Sequence, residues 1–166
     1  MSMNITNLHT LLVHELKDLY SAEKQVLKAL PKMERAAKNG RLVEAFRMHR
    51  EETERQVQRL EEIFADLDYK PRGEHCKGME GLIEEGESMV TEDAPDDVKD
   101  AGLIAAAQRV EHYEIAGYGT ARTFAMQLGM QRAADLLQQT LDEEAAANEK
   151  LTRIAENEIN QQAMDG

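Results

Sequence analysis

Several carboxylates and one imidazole of this chain fall where a buried apolar stripe is expected. At about 100° per residue, helix side chains three and four apart share a face. Glu23 lies four residues after Leu19 and four before Leu27, on the line Leu12, Leu16, Leu19, Leu27 and Leu30. Glu111 sits at the centre of Ile104, Ala107, Ile115, Tyr118 and Ala125, with Glu114 close beside it. Glu144 is central to Leu137, Leu141, Leu151 and Ala155, flanked by Ala147 and Asn148. His49 and Glu52 lie on or beside the stripe of Leu42, Phe46, Val57 and Leu60, and Thr53 and Gln56 extend that polar patch. Glu51 and Glu54 point outward by the same angles.

Buried carboxylates are costly unless paired, and neighbouring like charges raise one another's pKa. No Lys or Arg stands at the centre of these stripes in the first, third or fourth long helical segment. A pair of divalent cations would supply the missing partners. Oxygen-rich ligands with one imidazole suit Fe, Mn or Mg, and Zn less well. The candidate metal ligands are Glu23, His49, Glu52, Glu111, Glu114 and Glu144.

Four long helices would carry these residues. Periodicity predicts them over 5–39, 41–67, 96–128 and 131–159, each about 40–50 Å long at about 1.5 Å per residue. Pro31 removes one hydrogen bond from the first and is expected to bend it. Asn39-Gly40 reads as a C-cap and turn, and Asp93 or Ala94, ahead of Pro95, as a helix start. The segment 68–76, with Pro71 and Gly73, reads as loop, and 77–90 as a short helix weakened by glycines. The tail from Gln161 is expected to fray. Short first and last connections and a long middle one predict an all-α, four-helix bundle: two antiparallel helical hairpins joined by a long crossover that carries a short fifth helix. At 166 residues the whole chain reads as one domain.

Composition narrows the function. The chain has 32 Asp and Glu against 20 Lys and Arg, a net charge of -12. Such a balance opposes sequence-independent nucleic-acid binding and docking on anionic membranes. No apolar run is long enough to span a membrane. The opening MSMNITNLHTLLVHEL lacks a basic stretch followed by an apolar one. Cys76 is the only cysteine, which fits a reducing compartment, and a cytoplasmic location is expected.

Five stretches carry a family resemblance: Leu19-Tyr20-Ser21-Ala22-Glu23-Lys24-Gln25; His49-x-x-Glu52-Thr53; the run from Gly78 to Glu85; Val110-Glu111-His112-Tyr113-Glu114-Ile115-Ala116-x-Tyr118-Gly119-Thr120; and Thr140-Leu141-x-Glu143-Glu144. From about Ile5 to Glu156 the chain resembles the YciF/YciE branch of the ferritin-like superfamily, related to rubrerythrins and bacterioferritins. The resemblance implies a ferritin-like, bacterial, stress-associated bundle and a homodimer. It also implies a di-iron site with one Glu from each of two helices and Glu-x-x-His from each of the other two. This chain departs from that pattern. Its second helix offers His49-x-x-Glu52 in reverse order, its third Glu111-x-x-Glu114, and its last has Ala147 where a histidine would fall.

The leading expectation is therefore a dimetal-carboxylate protein that oxidises Fe(II) or removes peroxide. The rival is a non-catalytic homodimeric stress-response protein whose carboxylates stay protonated or hydrated, and a storage cage is a weaker third. His9, His14 and His75 are expected on the surface and His112 on a helix flank. Tyr20 and Tyr118 read as core aromatics, with hydrogen bonding to a carboxylate as the alternative. Gly117 and Gly119 suggest close packing against the crossover or a partner chain. Glu84-Glu85 and Asp142-Glu143 read as solvated. Cys76 stands where a thiolate could be favoured, but no partner base marks it as a nucleophile.

Overall fold

The computed structural model describes residues 4–72 and 74–165; Gly73 and the terminal Gly166 lie outside the described residues. The first helix, α1, spans Leu8–Ala36 and continues through Pro31. It starts three residues later than its apolar pattern suggested because Asn7 caps it. The Asn7 side chain accepts from the Thr10 N–H at 2.9 Å, and Thr10 Oγ1 accepts from the Asn7 N–H at 3.1 Å.

Helix α2 spans Gly40–Asp66. Asn39 is its N-cap, accepting from the N–H groups of Arg41 and Leu42, and not the C-cap of α1 as the Asn-Gly pair suggested. The turn is held from outside by Asp100, which is buried and accepts from the N–H groups of Lys38 and Asn39 at 3.0 and 2.7 Å. Those bonds draw residues 38 and 39 out of α1, so the helix stops at Ala36.

The crossover carries α3, Lys77–Thr91, capped by Cys76. Helix α4 spans Asp96–Gln127, with Pro95 itself at the cap position and neither Asp93 nor Ala94. After Gly129, at φ 71°, α5 runs over Gln131–Ile154. It widens into one π turn, Ala155–Ile159, and ends in a last helical turn, α6, over Asn160–Met164. The tail does not fray within the described residues. Ile159 is fully buried, and Glu158 accepts from Asn39 Nδ2 at 2.9 Å, which ties this end to the α1–α2 turn.

α1 packs on α2, α4 on α5, α2 on α5 and α1 on α4, a closed ring of four, with α3 laid against α1 and α4. This is the expected bundle of two hairpins, and no described residue is in a strand. Gly117 lets α1 and α4 approach: a Cβ there would lie 2.7 Å from Leu19 Cδ2. The close partner is α1, not the crossover or a second chain. Gly119 has nothing within 4 Å of such a Cβ, so close packing does not explain it.

The apolar interior is in two parts. Leu12, Leu16, Leu60, Phe64, Ala121 and Leu137 lie in one cluster, and Val26, Leu30, Phe46, Leu103, Ile104 and Leu151 in the other. Along each long helix the break between them falls on the polar residues singled out above.

Candidate metal centre

Between the two apolar clusters lies a polar layer. Glu23, Glu114 and Glu144 have no exposed surface, and Glu111 and His49 are buried too. His49, Glu111, Glu114 and Glu144 each bring a ligand atom within 4.8 Å of the others. Glu23 adjoins this group from α1, and the Tyr118 hydroxyl donates to its Oε1 at 2.5 Å. Glu52 is at the edge, its side chain about one-quarter exposed, with Oε2 3.6 Å from His49 Nδ1. His49 Nε2 is 3.0 Å from Glu111 Oε1. Neither ring nitrogen is aligned for a hydrogen bond, and both are without a partner.

The electrostatics are severe. Burial, reinforced by Glu144, pushes the Glu23 carboxyl up from 4.5 to about 8, against the opposing pull of the Tyr118 hydrogen bond and His49. Burial and then Glu144 likewise push Glu111 and Glu114 well above the usual carboxylate range. For His49, burial alone would lower the pKa, but Glu144, Glu52 and Glu23 together outweigh it and raise it. One oxygen each of Glu23 and Glu111 and both oxygens of Glu114 and Glu144 have no hydrogen-bond partner. Unpaired buried acceptors of this kind are rare in native proteins. The donor set fits a pair of divalent cations: four buried carboxylates would balance two dications, and oxygen with one nitrogen suits Fe or Mn.

The structure brings Glu23, Glu111, Glu114, Glu144 and His49 together and leaves Glu52 half-buried beside them. Glu51 and Glu54 are exposed, as their angles indicated. His75 and His112 are exposed, whereas His9 and His14 are half-buried and not free on the surface. Tyr118 is both a core residue and a donor to Glu23; Tyr20 is half-buried and donates to Glu61 at 3.1 Å, away from the cluster.

Two polar groups carry more than their sequence suggested. Glu143 is not a solvated side chain: it forms a two-pronged pair with Arg59, at 2.7 and 2.8 Å, and accepts from Gln56 at 3.0 Å. Arg59 and Gln56 hold the Glu143 carboxyl below its ordinary range despite burial. Four-residue spacing from Gln56 to the stripe residue Leu60 was the available signal that this face turns inward. Cys76 is buried, and its sulfur lies 3.0 Å from the Tyr113 hydroxyl, which donates to Asp18 at 2.7 Å. Burial pushes this thiol up, so a thiolate is not favoured.

A closed ring of four helices with a carboxylate-rich layer across its middle defines a ferritin-like bundle. The chain belongs to the DUF892 family, described as a domain of unknown function, which it matches over residues 7–164. It is 46% identical over 162 residues to Protein YciF of Escherichia coli, covering 97% of this chain and 98% of that one. The crystal structure of the E. coli stress protein YciF superposes with a TM-score of 0.90, covering 94% of this chain and 99% of that one. YcfI of Rhodopseudomonas palustris, 44% identical, gives a TM-score of 0.88 over 92% of this chain and 97% of its own.

Proposed function

We propose that this homologue of a bacterial stress protein binds a dinuclear metal, iron first among the candidates, within its central polar layer. The observation that carries the reading is the set of buried carboxylate oxygens without partners on Glu23, Glu111, Glu114 and Glu144. Those four and His49 would hold the metal. Glu52, facing His49 Nδ1, would complete the set or fix the imidazole ring. When bound, two iron ions would supply one electron each, which together reduce one hydrogen peroxide to two waters with uptake of two protons.

The chain's own residues have definable tasks. The Tyr118 hydroxyl fixes one oxygen of Glu23 and leaves the other free. Apolar clusters above and below exclude water and strengthen every electrostatic contact in the layer. The raised carboxyls hold protons when no metal is bound and must release them to bind it.

Purification without chelator and anaerobic Fe(II) loading, followed by elemental analysis, tests the reading. Retained metal that is lost in Glu111→Ala and Glu144→Ala supports it. No retained metal, or equal retention by both variants, overturns it. The raised carboxyl pKa values favour one alternative: a metal-free bundle kept neutral by protonation. Its signature is a melting temperature unchanged by EDTA after Fe(II) loading.

A further inference from the structure

One side of the polar layer gives onto an apolar cavity of about 130 Å³, set among α1, α2, α3, α4 and α5. Its walls include Val26, Leu30, Phe46, Ile83, Val110 and Leu151, and His49, Glu52 and Glu111 line it where it meets the polar layer. The walls are hollow because small residues line them: Gly86 on α3, Ala106 and Ala107 on α4, Ala146 and Ala147 on α5. Ala147 is the position at which a Glu-x-x-His pattern starting from Glu144 would place an imidazole. The missing histidine and the cavity are thus the same space. Near the outer rim, Lys32 pairs with Glu87, and Lys150 Nζ lies 3.3 Å from the sulfur of the exposed Met48.

We infer that this cavity is a binding site for a small neutral molecule with an apolar body and one hydroxyl group, of the size of a phenol or a six-carbon alcohol. Size sets the first limit, since a dry cavity of about 150 Å³ accepts a benzene ring. Charge sets the second. The apolar walls make any unpaired charge costly to bury, which disfavours an anion. The hydroxyl answers a specific deficit: His49 and Glu111 both line the cavity, and both ring nitrogens of His49 and Glu111 Oε2 have no hydrogen-bond partner. Binding to the metal-free protein follows from the cavity and these unpartnered atoms. That the ligand is also a substrate or effector of metal chemistry rests on the reading under Proposed function.

The test uses the full chain, first with EDTA and then loaded with Fe(II). Phenol is titrated into ¹⁵N-labelled metal-free protein, with benzoate as the anion of similar shape. Saturable shifts are expected at the amides of Gly86, Ala106, Ala107 and Ala147, with phenol bound about tenfold or more tighter than benzoate. Ala147→Phe, from α5, and Ala107→Leu, from the facing α4 wall, fill the cavity. Whichever variant keeps wild-type circular dichroism should bind phenol at least about tenfold more weakly. Absence of saturable shifts, equal binding of benzoate, or unchanged phenol affinity in a folded variant overturns the inference. Metal content is measured separately on the same samples. Phenol binding without metal retention leaves the pocket standing and removes the metal reading; metal retention without phenol binding does the reverse.

Discussion

Without metal, this bundle should become less stable as pH rises from about 5 to 8, a range in which most carboxylates have already finished titrating. Glu23 is ordinarily ionised above 4.5 but holds its proton to about 8 in the fold. The folded state therefore binds the proton more tightly than the unfolded one. Its stabilising effect is complete below 4.5 and is lost as pH rises through about 8. At about 1.4 kcal/mol for each tenfold change in proton affinity, Glu23 alone accounts for a loss of about 5 kcal/mol across that interval. Glu111, Glu114 and His49 are raised as well, so they act with the same sign. For a chain of this size, about 1 kcal/mol moves the midpoint by about 2–4 °C. The assay is thermal unfolding followed by circular dichroism in EDTA at pH 5.5, 6.5, 7.5 and 8.5. A fall of about 10 °C or more is expected. Glu23→Gln keeps an acceptor for the Tyr118 hydroxyl and loses one of the titrations, so it should make the profile less steep and melt higher than wild type at pH 8.5. Saturating metal should reverse the trend, because it takes the place of the protons, and should add about 2.7 kcal/mol at a hundredfold excess over Kd. A metal-free midpoint that is level or rises over this range would refute the claim that the carboxylates share a dry interior.

Three further outcomes are expected. Asp100→Ala leaves the N–H groups of Lys38 and Asn39 without their acceptor and should cost about 1–3 kcal/mol, measured by urea unfolding. The two glycines of α4 should respond oppositely. Gly117→Ala drives a Cβ to 2.7 Å from the buried Leu19 and should destabilise by about 1 kcal/mol or more, while Gly119→Ala meets open space and should stabilise by up to about 1 kcal/mol, both read by the same urea method. Gel filtration should give a homodimer, about twice 18.7 kDa; a much larger shell or a monomer would count against that expectation.

Much of the bundle is legible in the sequence because long apolar repeats fix both the helices and the faces they bury. The same regularity exposes the site: Glu23, Glu111 and Glu144 interrupt stripes that are otherwise apolar, and an interruption is visible without coordinates. What the sequence hides depends on partners distant along the chain. Asp100 reads as an ordinary acidic residue near a helix start, yet it caps a turn more than sixty residues earlier. Glu143 reads as surface because the partners that let it turn inward, Arg59 and Gln56, lie on another helix. Asn39 is ambiguous in principle, since asparagine suits both the end of one helix and the start of the next. The tail orders because Ile159 and Glu158 find partners elsewhere, a fact that local composition cannot carry. The cavity is the subtlest case: Ala147 looks like a lost ligand in sequence and is a wall of open space in three dimensions.

The most direct test of the metal reading is an anomalous difference map at the iron absorption edge from crystals grown after anaerobic Fe(II) loading. Two peaks are expected among Glu23, His49, Glu111, Glu114 and Glu144. A polar layer with no anomalous density, while iron is demonstrably present in the crystal, would contradict it.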